Sequence, residues 1–270
     1  MLSDLFRASN KFWHALYYDE LVDSKEYQIS HLKNADRLYF NCAHALNTID
    51  GAILDDIENY FKKQKINPAI YLDPESPQDL EKILIMRGYA EVKEEQENWY
   101  TFDCTQKQVL QELSEKIKIF QAQKPELECL LFYPMTNSRA LKQFLKLDAE
   151  VNGINSQVLE KFKENLMNPR YHDLKFVCAL ALDNNIPATI GLIGLNQDMV
   201  FFAEGATSPD FRRQGIYTWL RQICMLFAAQ QGCSKIAVNC DRDAYSNNTF
   251  KRLGFQRLCE RKFFIKNKNI

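Results

Sequence analysis

Apolar residues recur along this chain at helical intervals in some stretches and in short unbroken runs in others. Leu2, Leu5, Phe6, Phe12, Trp13, Leu16 and Tyr17 follow the helical interval, so the pattern predicts an amphipathic helix over residues 3–19. Leu38–Cys42 reads as a strand, and Ile53, Ile57, Tyr60 and Phe61 stripe a second helix over 51–64. Pro68–Leu72 reads as a short strand, closed by the turn-rich Asp73-Pro74-Glu75-Ser76-Pro77. A helix over 78–87 runs into Gly88, a residue suited to a left-handed helix end, and strands around Val92 and over Trp99–Phe102 follow.

Residues 105–122 predict a charged amphipathic helix, read as a connector. After it come a strand at Cys129–Tyr133, helices over 138–149 and 156–166, and three strands over 175–182, 187–196 and 199–206. Asp183-Asn184-Asn185 and Asn196-Gln197-Asp198 are hairpin turns by composition. A long helix over 214–231 carries Ile216, Trp219, Leu220, Ile223 and Phe227 and stops at Gly232. A buried strand at Lys235–Asn239, a short helix over 246–252 ending at Gly254, and a last strand through Phe263–Ile265 complete the chain. Both halves close with a helix, a glycine-aromatic pair (Gly88-Tyr89, Gly254-Phe255) and strands, which points to a repeat.

Composition narrows the function. With 34 basic and 35 acidic side chains the formal charge is -1, which argues against a nucleic-acid protein built on phosphate neutralisation. The eight cysteines form no CxxC pair and suit a reducing, cytoplasmic setting; the four histidines form no HExxH, so no metal site is expected. No apolar run reaches the roughly 18 residues that cross a bilayer, and no secretion signal opens the chain, so no membrane partner is expected.

One segment carries chemistry: Ala206-Thr207-Ser208-Pro209-Asp210-Phe211-Arg212-Arg213-Gln214-Gly215-Ile216-Tyr217-Thr218, between a strand and the long helix. Pro209 stops the strand, because it cannot donate to the ladder. Two guanidinium groups, a glycine and the orphan N–H groups of a helix start then converge, an arrangement that binds phosphate. The plainer reading is an ordinary turn with solvated arginines.

Thr207-x-Pro209-x-x-Arg212-x-x-Gly215 resembles the acetyl-CoA signature of the GNAT acyltransferase superfamily, with Tyr217 where the family has a small residue. Ser246-Asn247-Asn248-Thr249-Phe250-Lys251-Arg252-Leu253-Gly254-Phe255 resembles that family's late helix, with Phe250 where many members carry a tyrosine that protonates the departing thiolate. The resemblance covers about residues 128–265. It implies a mixed, mostly antiparallel central sheet flanked by helices, in two pseudo-repeated domains. These are a degenerate N-terminal domain (1–104), whose counterpart loop Asn47–Ala52 lacks the arginines, a connector (105–126) and a catalytic domain (127–270).

It further implies direct acetyl transfer from acetyl-CoA to a primary amine in a ternary complex. The cofactor would lie between splayed strands at 200–207 and 235–240. Gly205, Ala206 and Thr207 would pair with its pantetheine arm, and Arg212, Arg213, Gln214, Gly215, Ile216, Tyr217 and Thr218 would hold its diphosphate, with Asn247 and Phe250 beside the arm. Glu204, in the apolar run Val200–Gly205, is the first candidate base, since desolvation raises a carboxylate toward neutral pH; an ion-paired edge glutamate is the alternative. Tyr245 is the candidate acid in place of Phe250, or a packing residue. Asp241 and Asp243 orient a cationic amine or cap a turn, and capping fits better. Cys240, with no histidine after His172, reads as core. The chain is expected as a monomer or homodimer, with the acceptor amine unidentified. A non-catalytic acyl-CoA sensor or interaction module is the competing class.

Overall fold

The computed structural model describes residues 2–33, 40–44, 51–196 and 199–266. Their elements, in chain order, are α1 (Leu2–Leu16), β1 (Glu20–Asp23), β2 (Gln28–His31), β3 (Cys42–His44), α2 (Gly51–Lys63), β4 (Ala69–Leu72), α3 (Leu80–Met86), β5 (Tyr89–Glu91) and β6 (Glu97–Asp103). Then follow α4 (Lys107–Gln123), β7 (Leu127–Phe132), α5 (Ser138–Asn152), α6 (Ser156–Met167), β8 (Leu174–Asp183), β9 (Ile186–Asn196) and β10 (Met199–Thr207). α7 (Ile216–Gln230), β11 (Lys235–Asp241), α8 (Ser246–Arg252) and β12 (Gln256–Lys266) end the chain. Leu38, Tyr39, the loop residues Asn47–Asp50 and the turn residues Gln197 and Asp198 lie outside the described residues.

The chain folds as two compact units. One takes the residues up to Trp99 together with Cys240–Asn247 and Leu258 onward; the other takes Tyr100–Asn239 and Asn248–Arg257. The sequence-order division at 104 and 127 differs from this. The chain returns to the first unit at its end, because β12 pairs antiparallel with β4 (Lys262↔Leu72 to Ile265↔Ala69) and with β5. The expected connector belongs to the second unit, where α4 lays Phe120 against Trp219 of α7, ring centroids 6.1 Å apart.

In the first unit the β1–β2 hairpin pairs with β3, and β3 runs parallel to β4. α2 buries Leu54, Ile57 and Phe61 against Ile29, Ala43, Ile70 and Phe264, with Ile53 and Tyr60 at the margin of the expected stripe. α3 ends where expected, at Gly88 with φ +85°. A polar cluster sits inside this unit. Arg261, its Cζ 4.5 Å from the ring centroids of both Phe6 and Tyr71, donates to Asp73, to Glu97 Oε1 (2.7 Å) and to His44 Nδ1 (3.2 Å). Burial first, then the Arg261 charge, hold His44 neutral; its Nε2–H therefore points to Ser30 Oγ at 2.9 Å.

In the second unit the strand order is β11-β10-β9-β8-β7, antiparallel except for β10 with β11. β8 and β9 turn on Asn184 and Asn185, at φ +49° and +65°, the pair of left-handed residues that a tight hairpin needs. β8 and β9 are buried along most of their lengths, because α5 and α7 pack on them. α5 starts at Asn137, whose side chain accepts from the Ala140 N–H at 3.0 Å, and stops at Gly153. No helix among the described residues is long and apolar enough to cross a membrane.

Candidate active site

β10 and β11 are paired only over part of their lengths. The parallel register runs from Met199↔Lys235 to Phe202↔Val238. Immediately beyond, β10 bulges: Ala203 faces Leu192 and Gly205 faces Gly191, which leaves Glu204 as the extra residue, at φ +35°. β10 then continues to Thr207 along β9, with Thr207 Oγ1 and Thr189 Oγ1 2.9 Å apart. A strand that keeps one neighbour and leaves the other offers main-chain groups to a ligand, and the expected splay begins here.

The end of β10 feeds the turn into α7. Ser208 N–H donates to Ala188 O at 3.0 Å, and Pro209–Phe211 make one short 3₁₀ turn. Arg212 is extended, Arg213 is left-handed at φ +63° and Gly215 again at +81°. Only glycine fits position 215: beyond its φ, a Cβ would come within 3.0 Å of Phe120. The bond from Trp219 N–H to Gly215 O (3.0 Å) opens the helix ladder, so the N–H groups of Ile216, Tyr217 and Thr218 precede it. Arg212, Arg213 and Gln214 are exposed on this turn, and Lys124 of α4 donates to Gln214 Oε1 at 3.0 Å. A left-handed glycine, ladder-free amides, two arginines and a lysine fit a diphosphate.

Tyr217 turns its ring back toward β10. A Cβ on Gly205 would lie 2.7 Å from both the Tyr217 hydroxyl and Arg221 Nη2, so these two side chains cover the glycine. Arg221 Nε donates to the Tyr217 hydroxyl oxygen at 3.0 Å, and Nη2 reaches the carbonyls of Ala203 and Glu204, both at 3.3 Å. Its guanidinium is buried and lies 5.1 Å from the Phe202 ring centre and 5.0 Å from that of Tyr217.

On the helix side of Glu204 stands Asp148 of α5, which the sequence reading passed over. It is completely buried, its Oδ1 accepts from Asn152 Nδ2 at 2.7 Å, and its carboxyl adjoins that of Glu204. Burial first, then the Glu204 charge, push its pKa up to about 8, against the Asn152 bond. A signal was present: Asp148 falls on the stripe of Leu141, Phe144 and Leu145, where a helix buries apolar residues.

The remaining expected residues are placed differently. Phe250 is buried in the second unit, stacked with Tyr100 (6.5 Å) and edge-on to Phe255 (5.1 Å). Asn247 belongs to the first unit, where its Nδ2 donates to the carbonyls of Asp241, Arg242 and Ala244 and its Oδ1 accepts from Asn98. That side chain holds the turn before α8. Tyr245, in the same turn, is 74% exposed, and Cys240 is buried.

These features are those of a mixed α/β acyltransferase fold: a mostly antiparallel sheet, a bulged strand losing its parallel neighbour, and a turn of amides opening a long helix. Residues 142–255 match the Acetyltransferase (GNAT) family. No curated protein matches the sequence. Among solved structures, a GCN5-related N-acetyltransferase from Kribbella flavida superposes with TM-score 0.63 at 13% identity, over 98% of this chain and 95% of that one. A GCN5-related N-acetyltransferase from Sphaerobacter thermophilus gives 0.64 at 11% identity, over 93% and 84%. A tandem GNAT protein from the clavulanic acid biosynthesis pathway gives 0.63 at 8% identity, over 90% and 79%. At these identities the likeness is one of fold.

Proposed function

We propose that this protein is an acetyl-CoA-dependent N-acetyltransferase acting on a primary amine, with its chemistry in the second unit and a degenerate GNAT copy in the first. The carrying observation is the β10 bulge: pairing with β11 stops at Phe202, Glu204 is extruded, and the amide-lined turn follows at once. Acetyl-CoA, when bound, supplies a thioester carbonyl carbon open to attack. Arg212, Arg213 and the amides of Gln214 to Thr218 grip its diphosphate, while the backbone of Gly205 to Thr207 aligns its arm. Glu204 takes the proton that the amine must lose before it can attack. Arg221 fixes the bulge by binding the carbonyls on both sides of the Ala203–Glu204 link.

The test is thiol release from acetyl-CoA across a panel of primary amines, with Glu204→Gln as control. Turnover that falls roughly 10²-fold in the variant, with acetyl-CoA binding intact, supports the reading. Binding without thiol release from any amine supports the second reading, an acyl-CoA sensor. The Tyr217 ring over Gly205 favours that one, since it fills space that the family's small residue leaves open.

A further inference from the structure

Asp148 has an oxygen that lacks a donor. Oδ1 is bound by Asn152, but Oδ2 is buried without a hydrogen-bond partner. The group beside it is the Glu204 carboxyl, which when ionised is an acceptor too. Two carboxyls can hydrogen-bond only if one carries a proton. Burial leads to the same state: two ionised carboxyls side by side would hold like charges in a desolvated site, which burial and their mutual repulsion disfavour.

We propose that Asp148 is a positioning residue: it carries a proton shared with Glu204 and, through that proton, holds the Glu204 carboxylate in place as the base. The inference rests on the acetyltransferase reading for its catalytic meaning, and on the buried, unpartnered Oδ2 beside Glu204 for the shared proton.

Among the described residues, the helices packed around Asp148 place most of their charged side chains at the surface. From β8, Cys178 faces Asp148, and its thiol is pushed up by burial and then by the Asp148 charge, so it stays neutral. β9 carries no titratable side chain, and Glu204 is the sole one on β10. α6 buries Phe162, Asn165 and Leu166, with Glu160, Lys161, Lys163 and Glu164 outside the buried core. On α5 itself Arg139, Lys142, Lys146 and Glu150 are exposed. From α7, Arg221 and Tyr217 approach the bulge as described.

The proton count closes. The substrate ammonium gives one proton to Glu204, which leaves the pair neutral. As the N–C bond forms and the C–S bond breaks, a second proton passes from the nitrogen to the departing sulfur. Glu204 then returns its proton to water, and Asp148 keeps its own throughout.

The deciding experiment has two arms on the full-length protein. Carbon-13 NMR of the side-chain carboxyls, without substrate, is expected to show one carboxyl titrating near about 8 that vanishes in Asp148→Asn. A wild-type protein whose carboxyls all titrate in the ordinary acid range overturns the shared proton, whatever the turnover. In the kinetic arm, kcat/KM of the wild type is expected to fall above about pH 8, as the pair loses its proton. Asp148→Asn, whose amide still donates to Glu204, keeps near-normal kcat at pH 7 and loses the alkaline fall. Asp148→Ala lowers kcat about tenfold at unchanged KM, part of the roughly 10²-fold or more that a placed base contributes. An unchanged alkaline limb in Asp148→Asn, or lowered thermal stability in Asp148→Ala with the wild-type profile, assigns the residue to packing and overturns the proposal. Absence of turnover with every amine overturns the acetyltransferase reading instead, while the titration still decides the shared proton.

Discussion

Gly191 and Gly205 face each other across β9 and β10, and the Arg221 guanidinium fills the space that two Cβ atoms would need. A Cβ on Gly191 would lie 2.8 Å from Arg221 Nη1, and one on Gly205 2.7 Å from Nη2. The arginine cannot swing away cheaply, because it is buried, its Nη2 donates to the Ala203 and Glu204 carbonyls and its Nε to the Tyr217 hydroxyl. Gly205→Ala is therefore expected to cost about 1–3 kcal/mol of stability by overpacking. In an Arg221→Met background the same change should cost clearly less, a coupling that urea denaturation of the four proteins would measure.

The Asp148 proton sets a pH dependence of stability whose sign is fixed. An unfolded aspartate titrates near 3.8, whereas Asp148 in the folded protein holds its proton up to about 8. Over that window the folded state binds more protons than the unfolded one, so this residue's contribution is fully present below 3.8 and is lost as pH rises through about 8. Asp148→Asn should remove this slope. The variant should outlast the wild type above pH 8 by on the order of a few kcal/mol, with the gap shrinking toward pH 4, as denaturant midpoints across pH would show.

How much of this was open to reading depended on how local each signal is. The turn from Pro209 to Thr218 was legible because proline, glycine and the arginines act within a few residues of one another. The Asn184-Asn185 hairpin was legible for the same reason. The β1–β2 hairpin was not: Glu20–Asp23 and Gln28–His31 are four-residue strands with charged or polar side chains at most positions. Of the α7 residues at helical spacing, Ile216, Trp219 and Leu220 are buried and Ile223 and Phe227 half-buried; Arg221, Cys224, Met225 and Ala228 are buried as well, on a side that α4 also packs against. The partnership of Asp148 and Glu204 joins residues far apart in sequence, and only the packing of α5 on β10 brings them together.

The turn's arginines should report on acetyl-CoA directly. Arg212 and Arg213 are exposed, so their removal should leave the fold unharmed. Arg212→Ala and Arg213→Ala are each expected to weaken acetyl-CoA binding by about 1.5 kcal/mol, roughly tenfold, as for a hydrogen bond to a charged group. Calorimetry with acetyl-CoA and with acetyl-pantetheine, which lacks the diphosphate, would separate the contributions. An equal loss for both ligands would place the arginines away from the diphosphate.

In the first unit, Arg261 is expected to be the most costly single loss. Its guanidinium is the donor for Asp73 and Glu97, and both carboxylates are buried with it. Glu97 also accepts from Trp99 Nε1 at 2.7 Å, so it is anchored and cannot turn to water. Arg261→Met keeps the volume between Phe6 and Tyr71 but leaves two buried carboxylates without their cation, a change expected to cost about 3–5 kcal/mol. Arg261→Lys should fare little better, because one ammonium cannot span Asp73, Glu97 and His44 as a planar fork does. Adding Asp73→Asn and Glu97→Gln to Arg261→Met removes the stranded charges, so the triple variant should recover part of the loss in chemical denaturation. If the triple variant were instead less stable than Arg261→Met alone, packing of the guanidinium against the two rings, and not its charge, would be what the first unit depends on.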